Sequence, residues 1–142
     1  MRKLLTFITV VSILCFSACK KSSSSSTALT MQNLAGTYML TAMTGKDSAN
    51  NTIDIYNFFL PPCEKDDKYQ LNADGSYVIT DAGVQCSPAN TSSGTWTLSG
   101  NAISAGTLSG TIQKYDGKTL IVTGAQSLSG FNLLVTSTFT KQ

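Results

Sequence analysis

The side chains able to do chemistry in this chain are few: eight carboxylates, ten cations, four cysteines and no histidine. Without histidine no group has an ordinary pKa near neutrality, so a serine nucleophile would need a lysine to activate it. Lys114 and Lys118 flank Asp116 beside a predicted hairpin turn, which is the setting of a solvated loop. Carboxylates are densest at Glu64, Asp66 and Asp67, next to Cys63. Three carboxylates among lysines, with no EF-hand pattern, fall short of the roughly six to eight oxygens of a calcium site. The run therefore reads as a solvated turn or strand cap. A glycosidase would need two acids flanking a cleft, and the spacing of Asp66 and Asp81 does not fix their separation. Zinc is disfavoured by the same shortage, since no histidine and too few thiolates are present for a tetrahedral shell. The expectation is a protein that is not an enzyme and uses no metal or other cofactor.

The cysteines separate by position. Arg2 and Lys3 precede an apolar run from Leu4 to Phe16, followed by Ser17, Ala18 and Cys19, then Lys20, Lys21 and a run of serines. A basic start, a short apolar span and small residues mark an export signal, and the span is shorter than the roughly 20 residues a spanning helix needs. Because it ends on a cysteine, the segment resembles the lipobox and tether of bacterial lipoproteins, with Phe16 where leucine is usual. That resemblance implies a signal peptide over 1–18, lipidation at Cys19, and a serine-rich tether over 19–33 whose composition cannot bury enough to fold. More than one acyl chain makes anchoring stable. The domain would then sit on a membrane without crossing it.

Cys63 and Cys86 remain. Two cysteines in an exported domain read as one disulfide, closing a loop of about 24 residues that the chain-entropy model values at about 3 kcal/mol. Two unrelated buried thiols are the alternative. From Thr30 onward six lysines face eight acids, a formal charge of −2. A mildly acidic domain without a basic stripe has no electrostatic reason to bind nucleic acid.

The elements that must position these groups follow a period of two. Tyr38, Leu40 and Ala42 alternate with Thr37, Met39 and Thr41, and Tyr69 and Leu71 alternate with Lys68, Gln70 and Asn72. Tyr77 and Ile79 follow an Asp74–Gly75 turn, and Trp96 and Leu98 precede Gly100–Asn101 and a short strand around Ile103. A second hairpin turns at Asp116–Gly117, with Ile112 before it and Leu120 and Val122 after it. The chain closes on Leu133, Val135 and Phe139 sharing one face. Alternation between turn signals predicts antiparallel strands joined by local hairpins, with Ile53–Leu60 open to either a strand or a short helix. Seven to nine such strands in one small domain, 34–142, predict an all-β, antiparallel up-and-down barrel, whose closure also removes exposed edges.

The order Leu34-Ala35-Gly36-Thr37-Tyr38, then Cys63 to Tyr69, Asp74 to Tyr77, Cys86, and Gly94-Thr95-Trp96-Thr97-Leu98 resembles the lipocalin-like domain of small lipoproteins common in Bacteroidetes. Tyr38 stands where lipocalins carry the tryptophan that closes the barrel floor. The resemblance implies an eight-stranded barrel, a Cys63–Cys86 disulfide, and an interior able to hold a small hydrophobic molecule. Its candidate lining is Tyr38, Leu40, Tyr69, Leu71, Tyr77, Ile79, Trp96, Leu98, Leu133 and Val135. The lack of acidic residues after Cys19 implies the periplasmic face of the outer membrane. A barrel of this size is either filled by side chains or holds one small ligand. A filled barrel with an exposed apolar patch would instead mark a non-catalytic interaction or inhibitor protein.

Overall fold

A computed structural model describes residues 27–128 and 130–142. The expected signal peptide over 1–18, the expected lipidation site Cys19 and most of the expected tether over 19–33 lie outside the described residues. Their elements are α1 (Met31–Leu34), β1 (Gly36–Lys46), β2 (Thr52–Asp54), α2 (Ile55–Phe58), α3 (Pro62–Lys65), β3 (Lys68–Leu71), β4 (Ser76–Thr80), β5 (Ser92–Ser99), β6 (Ala102–Ala105), β7 (Leu108–Tyr115), β8 (Thr119–Leu128) and β9 (Phe131–Lys141). From β3 to β9 each strand pairs antiparallel with the next. β1 closes the ring by pairing with β3 on one side and β9 on the other. The short β2 adds only to the far end of β1, Thr44–Lys46 against Thr52–Asp54. Eight strands therefore form the barrel, in the meander order the hairpins predict.

Both predicted turns are present, with Gly75 at φ 88° and Gly117 at φ 91°, a region glycine enters without steric cost. The Asp74 carboxylate accepts from the Ser76 amide at 2.9 Å, and the Asp116 carboxylate accepts from Lys118 and Thr119 amides at 3.0 and 2.7 Å. These bonds fix the two hairpins at one end of the barrel. They also hold Asp116 down to about 2, since hydrogen bonds to the ionised form favour it.

The same end is sealed by α1. Thr30 caps the helix by accepting from the Asn33 amide at 3.1 Å. Leu34 is fully buried beneath it, and Leu29 and Met31 pack on the same core. Packing thus begins a few residues before Leu34, inside the stretch read as tether. Tyr38 donates to the Leu34 carbonyl at 2.6 Å, Tyr115 donates to the Asn33 carbonyl, and Lys141 Nζ reaches that same carbonyl at 3.2 Å. Three side chains from three strands thereby tie one helical turn across the barrel floor.

The core follows the alternation. Of the inward set read from the sequence, Tyr38, Leu40, Leu71, Tyr77, Ile79, Trp96, Ile112, Leu120, Val122, Leu133, Val135 and Phe139 are buried, while Tyr69 and Leu98 are half-buried and pack against them. Two positions depart from the simple pattern. A bulge between Leu40 and Ala42 shifts the phase of β1, so Ala42 is exposed and Met43 turns toward the core. A second bulge between Ile112 and Lys114 turns Tyr115 inward, where it is 5% exposed. One extra residue in a strand exchanges its two faces. The ambiguous segment resolves into both alternatives, β2 and then α2, with Asp54 as the helix cap.

Candidate functional site

Opposite the sealed floor, the barrel end receives the long connections: α2 and α3, residues 81–91, the β6–β7 turn, and the tip of the β8–β9 hairpin. The segment after β4 has no regular structure, so side chains must hold it. Cys63 of α3 is bonded to Cys86 with the Cα atoms 5.1 Å apart. Asp81 accepts from the Cys86 and Asn90 amides at 3.0 and 3.1 Å, and Asp66 accepts from the Val84 amide at 2.8 Å. Asp67 is fully buried and accepts from the Asn90 side-chain amide at 2.6 Å. Asp66 Oδ1 and Asp67 Oδ1 make no hydrogen bond among the described residues. Burial pushes the Asp67 carboxyl above its usual range, more than its hydrogen bonds pull it down. Asp66 and Asp67 of the acidic run thus serve as a scaffold for a loop. Asp66 and Asp81, the one pair weighed as a hydrolytic couple, each hold backbone amides. Among the described residues no cluster of three or more histidine, cysteine or acidic side chains is placed to hold a metal.

Two cavities lie behind this rim. The deep one, among Tyr38, Tyr69, Leu71, Tyr77, Leu120 and Phe139, measures only about 20 Å³. That is the scale of a single water, so the lower barrel is filled by its own side chains. The outer cavity measures about 240 Å³ and is lined by Leu40, Met43, Leu60, Glu64, Tyr69, Ile79, Asn90, Thr107, Leu108, Gln126, Ser137 and Phe139. Its apolar wall comes from barrel strands and from Leu60 between α2 and α3. Its polar groups come from α3, the disulfide loop and the β7–β8–β9 side. Drug-sized pockets run from roughly 300 to 1,000 Å³, so this one suits a compact molecule.

Tyr69 lines both spaces and stacks edge-on against Phe139, centroids 5.3 Å apart. Its hydroxyl has no hydrogen-bond partner among the described residues. Burial pushes this phenol up to about 12, and the charges of Asp67 and Glu64 add to the rise. An ultraviolet difference titration is therefore expected to show a tyrosine ionising about two units above the ordinary value of about 10, and Tyr69→Phe is expected to remove that step. A Tyr69 phenol titrating at the ordinary value would mean that it faces open water.

The structure spreads the predicted lining over different places. Leu40, Tyr69 and Ile79 line the outer cavity, and Tyr38, Leu71 and Tyr77 line only the deep one. Trp96 and Leu98 belong to the packed core and line neither. Leu133 and Val135 join Ile55 in a second cluster at the open end, where Gly45 leaves room for the contact: a Cβ there would lie 2.8 Å from Ile55 Cδ1. Met43, Leu60, Glu64, Asn90, Thr107, Leu108, Gln126 and Ser137 were not in the predicted lining. Glu64 and Asn90 had one usable signal, their closeness in sequence to the two bridged cysteines.

Exposed aromatics gather on the open-end elements as well. Phe58 and its neighbour Phe59 at the end of α2 are 79% and 68% exposed, and Phe131 at the start of β9 is 70% exposed. A family model described as a lipocalin-like domain matches residues 34–130. No curated protein and no solved structure matches the chain.

Proposed function

Because the chain belongs to the lipocalin-like domain family, we propose that it is a non-catalytic binding protein that holds a small, largely hydrophobic molecule in its open-end cavity. The 240 Å³ space between strands and disulfide loop is the observation that carries this reading. Its accessible lining is mixed, with more polar than apolar surface, which suits a molecule that carries a polar group beside an apolar body. The filled lower barrel bounds the ligand: a long acyl chain would have to displace Tyr38, Leu71 and Tyr77 from a packed core, whereas a compact amphiphile needs no such change. We further propose that export and lipidation at Cys19 tether the domain to the bacterial cell envelope, at the periplasmic face of the outer membrane. Chain order supports an outward-facing mouth. The first described residue, Thr27, approaches the Gly117 turn at the sealed end, so a tether would leave from the floor and the cavity would point away from the membrane.

The full chain, purified from an envelope-bearing bacterial host, is expected to carry a small molecule that native mass spectrometry detects and denaturation releases. Leu108→Trp, which places a large ring in the outer cavity, is expected to abolish that mass while leaving the far-ultraviolet circular dichroism unchanged. A bare mass for both proteins after exposure to envelope lipid extract would sink the binding reading. It would favour a second one, in which the filled barrel is a scaffold for an interaction or inhibitor protein. The exposure of Phe58, Phe59 and Phe131 at one end of the barrel supports that alternative, since solvated aromatics on loops are suited to a partner surface.

A further inference from the structure

Among the described residues, one acid and no base line the outer cavity. Glu64 is its carboxylate, half-buried and without an ion-pair partner among the described residues, where the one salt bridge is Lys114–Asp116 at the sealed end. Its neighbour Lys65 lies over the Tyr56 ring, 5.1 Å from the centroid, and is not part of the lining. Behind the rim stand Asp66, Asp67 and Asp81, engaged with backbone and Asn90 and in no salt bridge among the described residues. Tyr69 and Phe139, packed edge to face, line the same space and give it an aromatic, apolar side. The one charge in the described lining therefore disfavours an anionic ligand, which would have to desolvate beside Glu64.

Resting on the binding reading above, we propose that the ligand is a compact amphiphile with a cationic, amine-type head, paired with the Glu64 carboxylate and seated by its apolar body against Tyr69, Leu108 and Phe139. The negative charge around the Tyr69 hydroxyl, visible in the upward push that Asp67 and Glu64 exert on it, agrees with that placement. Gln126 and Ser137 add neutral hydrogen-bonding groups to the same lining.

The test compares three probes of similar size, 2-phenylethylammonium, 3-phenylpropanoate and 2-phenylethanol, by titration calorimetry on the full chain in a neutral detergent with detergent-only blanks. The ammonium probe is expected to bind at least about tenfold more tightly than the other two, the scale of one charge-assisted hydrogen bond. Glu64→Gln is expected to remove that advantage while leaving 2-phenylethanol within about twofold. A thermal melt of the variant checks that the fold persists. If Glu64→Gln does not fold, Glu64→Asp serves in its place and is expected to lower the ammonium preference by withdrawing the carboxylate. Binding of the propanoate as tight as the ammonium, or an ammonium preference untouched by the Glu64 variant, overturns the inference and leaves the pocket standing. Failure of all three probes at millimolar concentration overturns the inference and the binding reading together.

Discussion

Replacing Trp96 with alanine is expected to lower stability by about 3–5 kcal/mol, the cost of emptying a large core site. Trp96 is 1% exposed and is among the largest fully buried side chains of the barrel. Its backbone amide donates to the Gly75 carbonyl at 2.7 Å, and its indole Nε1 donates to the Asn72 carbonyl at 2.8 Å. The ring therefore joins β5 to the β3–β4 hairpin from inside the core. Alanine would leave a void and an unmatched carbonyl at once, against a total stability of roughly 5–15 kcal/mol for a domain of this kind. Trp96→Phe separates the two effects: it keeps an aromatic ring and loses the indole donor, for an expected cost of about 1–3 kcal/mol. Urea unfolding followed by far-ultraviolet circular dichroism is the suitable measurement, because the variants lack the chain's sole tryptophan as a fluorescent probe. Equal midpoints for wild type and Trp96→Ala would contradict a packed lower barrel.

That filled interior was half legible in the sequence. Alternation places Tyr38, Leu71, Tyr77 and Trp96 on one face of their strands because side chains on a strand have a fixed period of two, and the structure keeps all four inside. The floor was harder to see. Leu29 and Met31 sit in the stretch read as tether, and nothing local announces that Tyr38, Tyr115 and Lys141 would converge on the carbonyls of Asn33 and Leu34. Tyr115 itself was hidden by the bulge at Gln113. A bulge adds one residue to one strand, and its position is set by the pairing with a neighbour, not by a local residue preference.

The open-end cavity was less legible still, for a related reason. Its polar residues come from five separate stretches: Glu64 from α3, Asn90 from the segment after β4, Thr107 from the β6–β7 turn, Gln126 from β8 and Ser137 from β9. Only long-range closure brings them together, so no spacing along the chain marks them. The carboxylates Asp66, Asp67 and Asp81 show the converse. They are conspicuous in sequence, yet their hydrogen bonds are spent on loop amides and on Asn90, and the cavity lining includes none of them. Side chains that organise a rim and side chains that face a ligand are adjacent in sequence at Glu64 and Asp66, and only the fold separates the two roles.

The bridge that sets up this rim carries the second large expected effect. The double variant Cys63→Ser, Cys86→Ser is expected to be less stable by about 3 kcal/mol, because an unbridged unfolded chain regains the freedom of a loop of about 24 residues. The eight-stranded ring does not pass through the bridge, since neither cysteine lies on a strand. Native circular dichroism should therefore survive at 25 °C in water while the urea midpoint falls. Ligand affinity should fall further than stability alone implies. Without the bridge, residues 81–91 keep only the Asp66, Asp67 and Asp81 hydrogen bonds to hold them over the barrel, and ordering the loop around a ligand would cost conformational freedom at each binding event. The two effects can be read apart by measuring probe affinity well below the unfolding transition, in oxidised protein, in reduced protein and in the double variant. Reduced protein and double variant should agree with each other and differ from the oxidised form in both midpoint and affinity. A lowered midpoint with unchanged affinity would mean that the three aspartates suffice to hold the mouth, and that the disulfide acts on the unfolded chain alone.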